Sequence, residues 1–93
     1  MTLTLKFIGA IRQISGKKQL TINHQESSTL KDLIVKLVED MPGLKNIIGA
    51  GLGDSNSSSL ILINGSEISV LKGLDTPLKD GDEIVFIPVV HGG

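Results

Sequence analysis

The sequence predicts an α+β fold, in which a mixed sheet of four to five strands packs on one long helix at about residues 29–41. Two segments near the N-terminus alternate apolar and polar residues with a period of two, which is typical of half-buried strands. A single long segment then repeats its apolar residues at helical spacing. Short apolar runs follow it, as expected for further strands. Because 93 residues are enough for one domain, we expect a single domain over residues 1–93.

The N-terminal segments are predicted to form neighbouring strands. Apolar residues occupy every second position over residues 2–8, and the alternation returns over residues 19–23, where Leu20 and Ile22 are on the buried side. Residues 15–18 have the composition of a turn. We therefore expect a hairpin, although its connection is longer than a two-residue turn.

The long helix is the clearest element of the sequence. Thr29 is a suitable N-cap, and Asp32 three positions later resembles a capping box and suits the helix dipole. Pro42 and Gly43 are expected to end the helix, and residues 44–48 to add one short helical turn. The apolar stripe of the helix consists of Leu30, Leu33, Ile34, Leu37, Val38 and Met41.

The second half of the chain predicts a loop followed by strands. Residues 49–59 contain three glycines and four serines, so we expect a mobile loop there. The apolar run at residues 60–63 ends at Asn64-Gly65, a pair that favours a tight turn. Residues 67–70 are expected to form a brief edge strand. The last strand, residues 84–89, is expected to lie parallel to the first in the middle of the sheet, with the helix as the crossover.

Composition excludes several classes of function. Nine basic and ten acidic residues give a net charge of −1, which argues against non-specific nucleic-acid binding. There is no cysteine, hence no disulfide or thiolate site. No apolar run is long enough for a membrane span and no signal peptide is visible, so we expect a cytoplasmic protein that does not associate with membranes.

The titratable residues do not form a recognisable active site. His24 and His91 are far apart in sequence, and His24 is expected to be solvated. The acidic residues Asp80, Asp82 and Glu83 lack the ligand ladder of a calcium loop, and we expect a solvated turn. We therefore expect no catalytic residue, metal site or bound cofactor in this chain.

The C-terminal Gly92-Gly93 pair is the remaining candidate for chemistry. One interpretation is a frayed end, as at most chain termini. In the other, two residues without Cβ atoms enter a narrow slot of a partner enzyme, which acts on the carboxylate of Gly93. Because Pro88 stiffens the chain just before it, residues 89–93 would form a thin flexible tail on a rigid body.

Four segments of the chain together form a recognisable pattern. The segments are Thr29–Leu33 (TLKDL), Leu62–Gly65 (LING), Leu78–Ile84 (LKDGDEI) and Phe86–Gly93 (FIPVVHGG). In order and spacing they resemble the MoaD/ThiS group of sulfur carriers, which includes the small subunit of molybdopterin synthase, ubiquitin-related modifiers and small archaeal modifiers. The resemblance covers nearly the whole chain and implies a ubiquitin-like β-grasp fold. It departs from the molybdopterin synthase branch where Ile87-Pro88-Val89 replaces a double proline.

The resemblance also implies a function. A ubiquitin-activating-type enzyme would use ATP to adenylate the carboxylate of Gly93, and a sulfur donor would convert it to a thiocarboxylate. The partner would recognise His91 and Gly92 in the tail. The acceptor would be the molybdopterin synthase large subunit, for molybdenum-cofactor synthesis. Alternatives are conjugation of Gly93 to target-protein lysines, sulfur donation for transfer-RNA thiolation, or a plain interaction domain whose glycines do no chemistry.

The alternation of the later strands predicts a partner-docking patch. If one set of side chains faces the helix, the intervening set forms an apolar surface on the outer sheet face, near the tail. Two alternatives remain open at this point: both faces are covered, or the register is shifted by one residue. The predicted patch consists of Leu60, Leu62, Val85 and Ile87.

Overall fold

The computed structural model describes residues 1–48 and 59–88. Except for Ser59, which begins a strand, the predicted loop at 49–59 lies outside these residues, as does the tail at 89–93. Single 3₁₀ turns occupy Pro42–Leu44, Ile68–Val70 and Gly73–Asp75. The regular elements are β1 (Thr2–Phe7), α1 (Ala10–Ser15), β2 (Gln19–Asn23), α2 (Leu30–Asp40), α3 (Lys45–Ile48), β3 (Ser59–Ile63), β4 (Ser66–Glu67) and β5 (Glu83–Pro88).

The strands form one five-stranded mixed sheet in the order β2-β1-β5-β3-β4. β1 and β5 are parallel, whereas β1–β2, β5–β3 and β3–β4 are antiparallel. The last strand therefore lies in the middle of the sheet beside the first, as predicted. A parallel pair needs a long crossover, which the chain between β1 and β5 provides. The predicted α+β class with a mixed sheet and one long helix is confirmed.

One face of the sheet packs on α2 and encloses the core. Alternate residues of β1, β5 and β3 point inward, as their period of two predicts. At the centre, Phe7 and Phe86 are directly opposite in register and fully buried, with their rings stacked at a centroid distance of 5.8 Å. The buried apolar set is Leu3, Leu5, Phe7, Ile11, Leu30, Leu33, Ile34, Leu37, Leu44, Ile48, Ile61, Ile63, Leu78, Ile84 and Phe86.

A complete capping box begins α2. The Thr29 hydroxyl accepts a hydrogen bond from the Asp32 backbone N–H at 3.4 Å, and the Asp32 carboxylate accepts one from the Thr29 N–H at 3.0 Å. The backbone hydrogen bond from Thr29 is the main reason that the pKa of Asp32 is lowered; the Thr29 hydroxyl and nearby His24 and Lys31 act in the same direction, against partial desolvation.

The connection between β1 and β2 differs from the predicted turn. It contains α1, which begins after Gly9 (φ +60°) and ends at Gly16 in the left-handed region (φ +74°). Within α1, Ile11 is fully buried. Six residues are too few to show a helical repeat, so the sequence pattern did not reveal this element. The two strands nevertheless pair antiparallel.

The predicted edge strand at 67–70 is also partly wrong. β4 covers only Ser66–Glu67, and the chain then turns into the 3₁₀ segment Ile68–Val70. The Glu67 carboxylate accepts hydrogen bonds from the Ser69 backbone N–H and hydroxyl. This local bond competes with strand pairing, because it fixes the backbone in a turn.

The acidic turn before β5 anchors the sheet end, and the expectation of a solvated cluster is wrong for Asp82, although Asp80 is exposed as expected. Asp82 is only 9% exposed. Its carboxylate accepts hydrogen bonds from the Asn64 side-chain amide and the Lys79 backbone N–H, both at 2.8 Å. The Asn64 side-chain oxygen in turn accepts from the Glu83 N–H at 2.9 Å. Asp80 accepts from the Thr2 N–H. These bonds tie the β3–β4 turn and the start of β1 to β5.

We expect the Asp32→Asn variant to lose a pH-dependent part of the stability. Because the folded-state pKa of Asp32 is lowered, its contribution is fully present above the pKa of the unfolded chain and is lost as the pH falls through the folded-state value. Urea unfolding at a series of pH values should show the variant deficit shrinking in acid. A deficit that stays constant with pH would contradict this. As a control, Thr29→Ala should cost about 1 kcal/mol at neutral pH.

We expect replacement of Asn64 to destabilise the fold by two separable effects. Asn64→Gly removes the side-chain hydrogen bonds to Asp82 and Glu83 and should cost about 1–2 kcal/mol. Asn64→Ala loses the same bonds and must also hold φ at +51°, which should cost about 1 kcal/mol more. Urea denaturation measures both. If the two variants were equally stable, the left-handed backbone at position 64 would not destabilise a residue with a Cβ atom.

Candidate functional site

The outer faces of β3 and β5 carry the apolar patch that the sequence predicted. Ile61 and Ile63 of β3 are at most 5% exposed, and Ile84 and Phe86 of β5 are fully buried. The strands alternate, so the intervening side chains belong to the opposite face. These side chains are half-buried, and their register is the unshifted one. We call this surface the outer patch; it consists of Leu60, Leu62, Val85 and Ile87.

The members of the outer patch are direct cross-strand neighbours. In the antiparallel β3–β5 pair, Leu60 is opposite Ile87 and Leu62 is opposite Val85. Cross-strand pairs have Cβ atoms about 4.5–5.5 Å apart, so the four side chains form one contiguous surface. The topology therefore gathers residues that are more than 20 positions apart in the sequence.

Ile8 extends the outer patch and was not among the residues singled out from the sequence. Its backbone N–H donates to the Phe86 carbonyl at 3.1 Å, which continues the β1–β5 ladder beyond Phe7. The alternation of β1 puts Ile8 on the outer face, beside Ile87, and it is 45% exposed. The period-two alternation over residues 2–8 could have identified Ile8 from the sequence, because it places this residue on the sheet face opposite the buried side chains of β1.

Charged side chains border the outer patch. Lys6 is next to Val85 in the β1–β5 register and forms an ion pair with Glu83 at 3.2 Å. Glu67 is opposite Leu62 on the other side. Both partners of the ion pair are well exposed, so it adds little stability. An apolar centre with a charged rim is the usual anatomy of a protein-binding surface.

The strand that carries half of the outer patch leads directly into the C-terminal tail. Gly93, Gly92 and His91 lie outside the described residues, so their predicted roles stay predictions. The last described residue, Pro88, packs against the start of α1. A Cβ built on Gly9 would come within 3.0 Å of the Pro88 Cγ, and Gly9 has a φ of +60°. Glycine is therefore needed at position 9, where Pro88 packs closely against the chain.

Few other described residues are candidates for a metal site or for catalysis. Within residues 1–48 and 59–88, no three His, Cys, Asp or Glu side chains are close enough to hold a metal ion. His24 is half-buried rather than solvated, because its backbone pairs with Met1 at the end of the β1–β2 ladder. Its Nε2 atom is buried without a hydrogen-bond partner there.

Within residues 1–48 and 59–88, no helix has both the length and the apolarity to cross a membrane.

Known proteins share this fold and sequence pattern. A family model described as the ThiS family matches residues 5–93. The small archaeal modifier protein 3 of Haloferax volcanii is 30% identical over 93 residues, which span 100% of both chains. A putative molybdopterin converting factor subunit 1 from Pyrococcus furiosus superimposes with a TM-score of 0.79 at 26% identity, over 97% of this chain and 99% of that one.

A third similar structure is a protein–protein complex. A chain in the complex of subunits 1 and 2 of the molybdopterin-converting factor from Helicobacter pylori superimposes with a TM-score of 0.65 at 29% identity, over 100% of each chain. The suspected MoaD/ThiS resemblance is thus confirmed by sequence and by fold. With its central parallel β1–β5 pair and a family match over nearly its whole length, the chain belongs to the ThiS family of ubiquitin-like β-grasp proteins.

Proposed function

We propose that this chain is a sulfur carrier whose C-terminal Gly93 carboxylate is activated by a partner enzyme and converted to a thiocarboxylate. The observation that carries the proposal is the continuity of β5. This central strand bears Val85 and Ile87 of the outer patch and then runs into the His-Gly-Gly tail. A partner that covers the patch is thereby positioned at the base of the tail. The family match supports the same activity.

The chemistry explains why such a carrier needs an activating partner. A carboxylate is a poor electrophile, because it has no good leaving group. The Gly93 carboxylate attacks the α-phosphorus of ATP and pyrophosphate leaves, which gives an acyl adenylate. A sulfur nucleophile then attacks the carbonyl carbon and displaces AMP, leaving a thiocarboxylate. Nucleotide binding and charge stabilisation belong to the partner, so the chain contributes the reacting carboxylate and a docking surface.

The acceptor that we propose first is the large subunit of a molybdopterin synthase. The support is the fold similarity to the molybdopterin converting factor subunits of Pyrococcus furiosus and Helicobacter pylori, the latter in a complex of subunits 1 and 2. In that role the chain would act as the sulfur-carrying small subunit and not as an enzyme by itself. The thiocarboxylate sulfur would be delivered to a substrate held by the large subunit.

A second function is conjugation to proteins. The support is the 30% identity to a protein named a small archaeal modifier. In this reaction a lysine amine attacks the activated Gly93 carbonyl, AMP leaves and an isopeptide bond forms. The same activated end also suits sulfur donation for transfer-RNA thiolation. Each route begins with the same adenylation, so the outer patch and tail would serve all of them.

We expect the intact mass of the protein to rise by the difference between sulfur and oxygen when it is incubated with an activating enzyme, ATP and a sulfide source. Omission of ATP should abolish the change. A variant lacking Gly93 should stay unmodified, because the shortened tail places its carboxylate one residue short of the reacting position. If none of the ubiquitin-activating-type enzymes of the host modified the protein, this result would contradict the carrier function. Ladders of lysine conjugates would favour the modifier function.

We expect Leu62→Asp and Ile87→Asp to weaken binding to the activating enzyme at least about tenfold, because loss of a buried apolar contact at an interface centre costs about 2 kcal/mol or more. Both side chains are half-buried and face outward, so the variants should fold, which circular dichroism checks. Val35→Asp is the matched control, since Val35 is 37% exposed on α2, on the other side of the sheet. Binding of all three variants at the wild-type level would refute a docking role for the outer patch.

A further inference from the structure

The strand β2 is an edge of the sheet, and one set of its backbone groups faces outward. In the β1–β2 ladder, Met1 and His24 exchange both backbone hydrogen bonds, and the Phe7 N–H donates to the Lys18 carbonyl. Residue pairs in an antiparallel ladder alternate between hydrogen-bonded and non-hydrogen-bonded pairs. The backbone groups of residues 18, 20, 22 and 24 therefore form hydrogen bonds with β1. The N–H and C=O groups of Gln19, Thr21 and Asn23 therefore point away from the sheet.

Among residues 1–48 and 59–88, no strand pairs with the outer edge of β2, and this edge lacks the sequence features that usually prevent strand addition. Proteins protect exposed edges with proline, charged residues, bulges or a covering segment. Between Gln19 and Asn23 there is no proline and no charged residue, and all five residues pair with β1 in an unbroken register. The outward groups of β2 can thus accept another extended chain.

A groove lies beside this edge, between β2 and the C-terminal half of α2. It encloses about 410 Å³, within the range of roughly 300–1,000 Å³ typical of ligand sites. Leu20 and Ile22 of β2 and Leu37 and Met41 at the α2 end form its apolar lining. A strand added to β2 would direct every second side chain to the helix side of the sheet, that is, into this groove.

The charge around the groove is positive at the end where β2 begins. Lys17 lines the groove there, and Lys18 follows it; neither takes part in an ion pair among the residues that the structure describes. Lys36 lies along the α2 rim, where Asp40 approaches it at 3.9 Å with both side chains more than half exposed. Such an exposed pair is weak, so Lys36 remains available to an acidic partner.

We propose that the β2–α2 groove binds an extended segment of a partner protein, in which apolar residues alternate with polar ones and acidic residues flank the run. The segment would add a sixth strand to the sheet through Gln19, Thr21 and Asn23, place its apolar side chains over Leu20 and Met41, and direct its acidic residues to Lys17 and Lys18. A second copy of this chain fits less well, because its own β2 carries no acidic residue.

This interaction is independent of the activation of Gly93. β2 and the outer patch belong to different parts of the sheet: β1 and β5 separate β2 from β3, and the groove opens on the helix side. A segment bound at the groove would leave Leu62 and Ile87 free. The site therefore gives the protein a second contact, which would let a target or assembly factor bind while the tail is being activated.

The test is binding of a fluorescein-labelled peptide of about ten residues, in which Val alternates with Thr and an acidic run follows. Fluorescence anisotropy should show saturable binding that a scrambled peptide lacks. Thr21→Pro should weaken binding at least about tenfold, because it removes an outward N–H and puts a ring at the edge, while the β1 ladder does not use that group. Thr21→Val keeps the N–H and should bind as the wild type does.

Charge variants test the electrostatic part. The double variant Lys17→Glu, Lys36→Glu should weaken binding about tenfold at low salt and less at high salt, whereas Lys72→Glu, outside the groove, should not. No binding by the wild type, or equal binding by Thr21→Pro, would overturn the proposal. So would light scattering that shows a wild-type dimer dissociated by Thr21→Pro. Adenylation of Gly93 should be unchanged in Thr21→Pro, so failure here is distinguishable from failure of the carrier function.

Discussion

The parallel pairing of β1 with β5 is the constraint on which the rest of the structure depends. It joins the first and last described segments of the chain and puts Phe7 against Phe86 in the middle of the core. These are the only two aromatic residues, so the largest apolar surfaces of the protein are concentrated at this pair. Because β5 has a neighbour on each side, the strand that leads to the tail cannot move without disrupting two ladders.

The sequence motifs shared with the sulfur carriers prove to be mainly folding devices. The segment that begins at Thr29 closes a capping box on α2. Asn64, in the left-handed region, and Asp82, buried at the start of β5, bond to each other across the sheet end. Only the last motif begins at a core residue, Phe86, and continues in sequence to the Gly92-Gly93 end on which the proposed function depends. The motifs within the described residues therefore specify mainly the fold of the body.

The two proposed contact surfaces follow from the two faces and the free edge of one sheet. The outer patch lies on the open face of β3 and β5, whereas the groove lies between the β2 edge and α2 on the other face. Each surface uses side chains or backbone groups that the fold leaves unpaired after the core is complete. Among the described residues, one face and one edge of the sheet are left uncovered, so the two proposed surfaces would let a small protein with a single core contact two partners.

The sequence by itself determined the elements that have enough local repeat to be recognised. The stripe of α2, the alternation of β1 and β2, the apolar run of β3 and the turn at Asn64-Gly65 are local properties, and they predicted the class and the central last strand. The members of the outer patch followed only for one of the registers that the sequence left open. The short α1 was missed, because six residues carry no periodic signal. β4 was predicted too long, because the Glu67 carboxylate bonds to Ser69.

Only the tertiary structure decided which polar residues are buried and which backbone groups are left free. Asp82 looked like a solvated turn residue until the fold brought Asn64 to it, 18 positions away. His24 is half-buried because Met1 pairs beside it. The direction of the Thr21 N–H depends on which residue pairs of the β1–β2 ladder exchange hydrogen bonds. The amino-acid composition of β2 does not determine that pairing. These properties arise from contacts between distant segments, and a sequence pattern reports only the preferences of neighbouring residues.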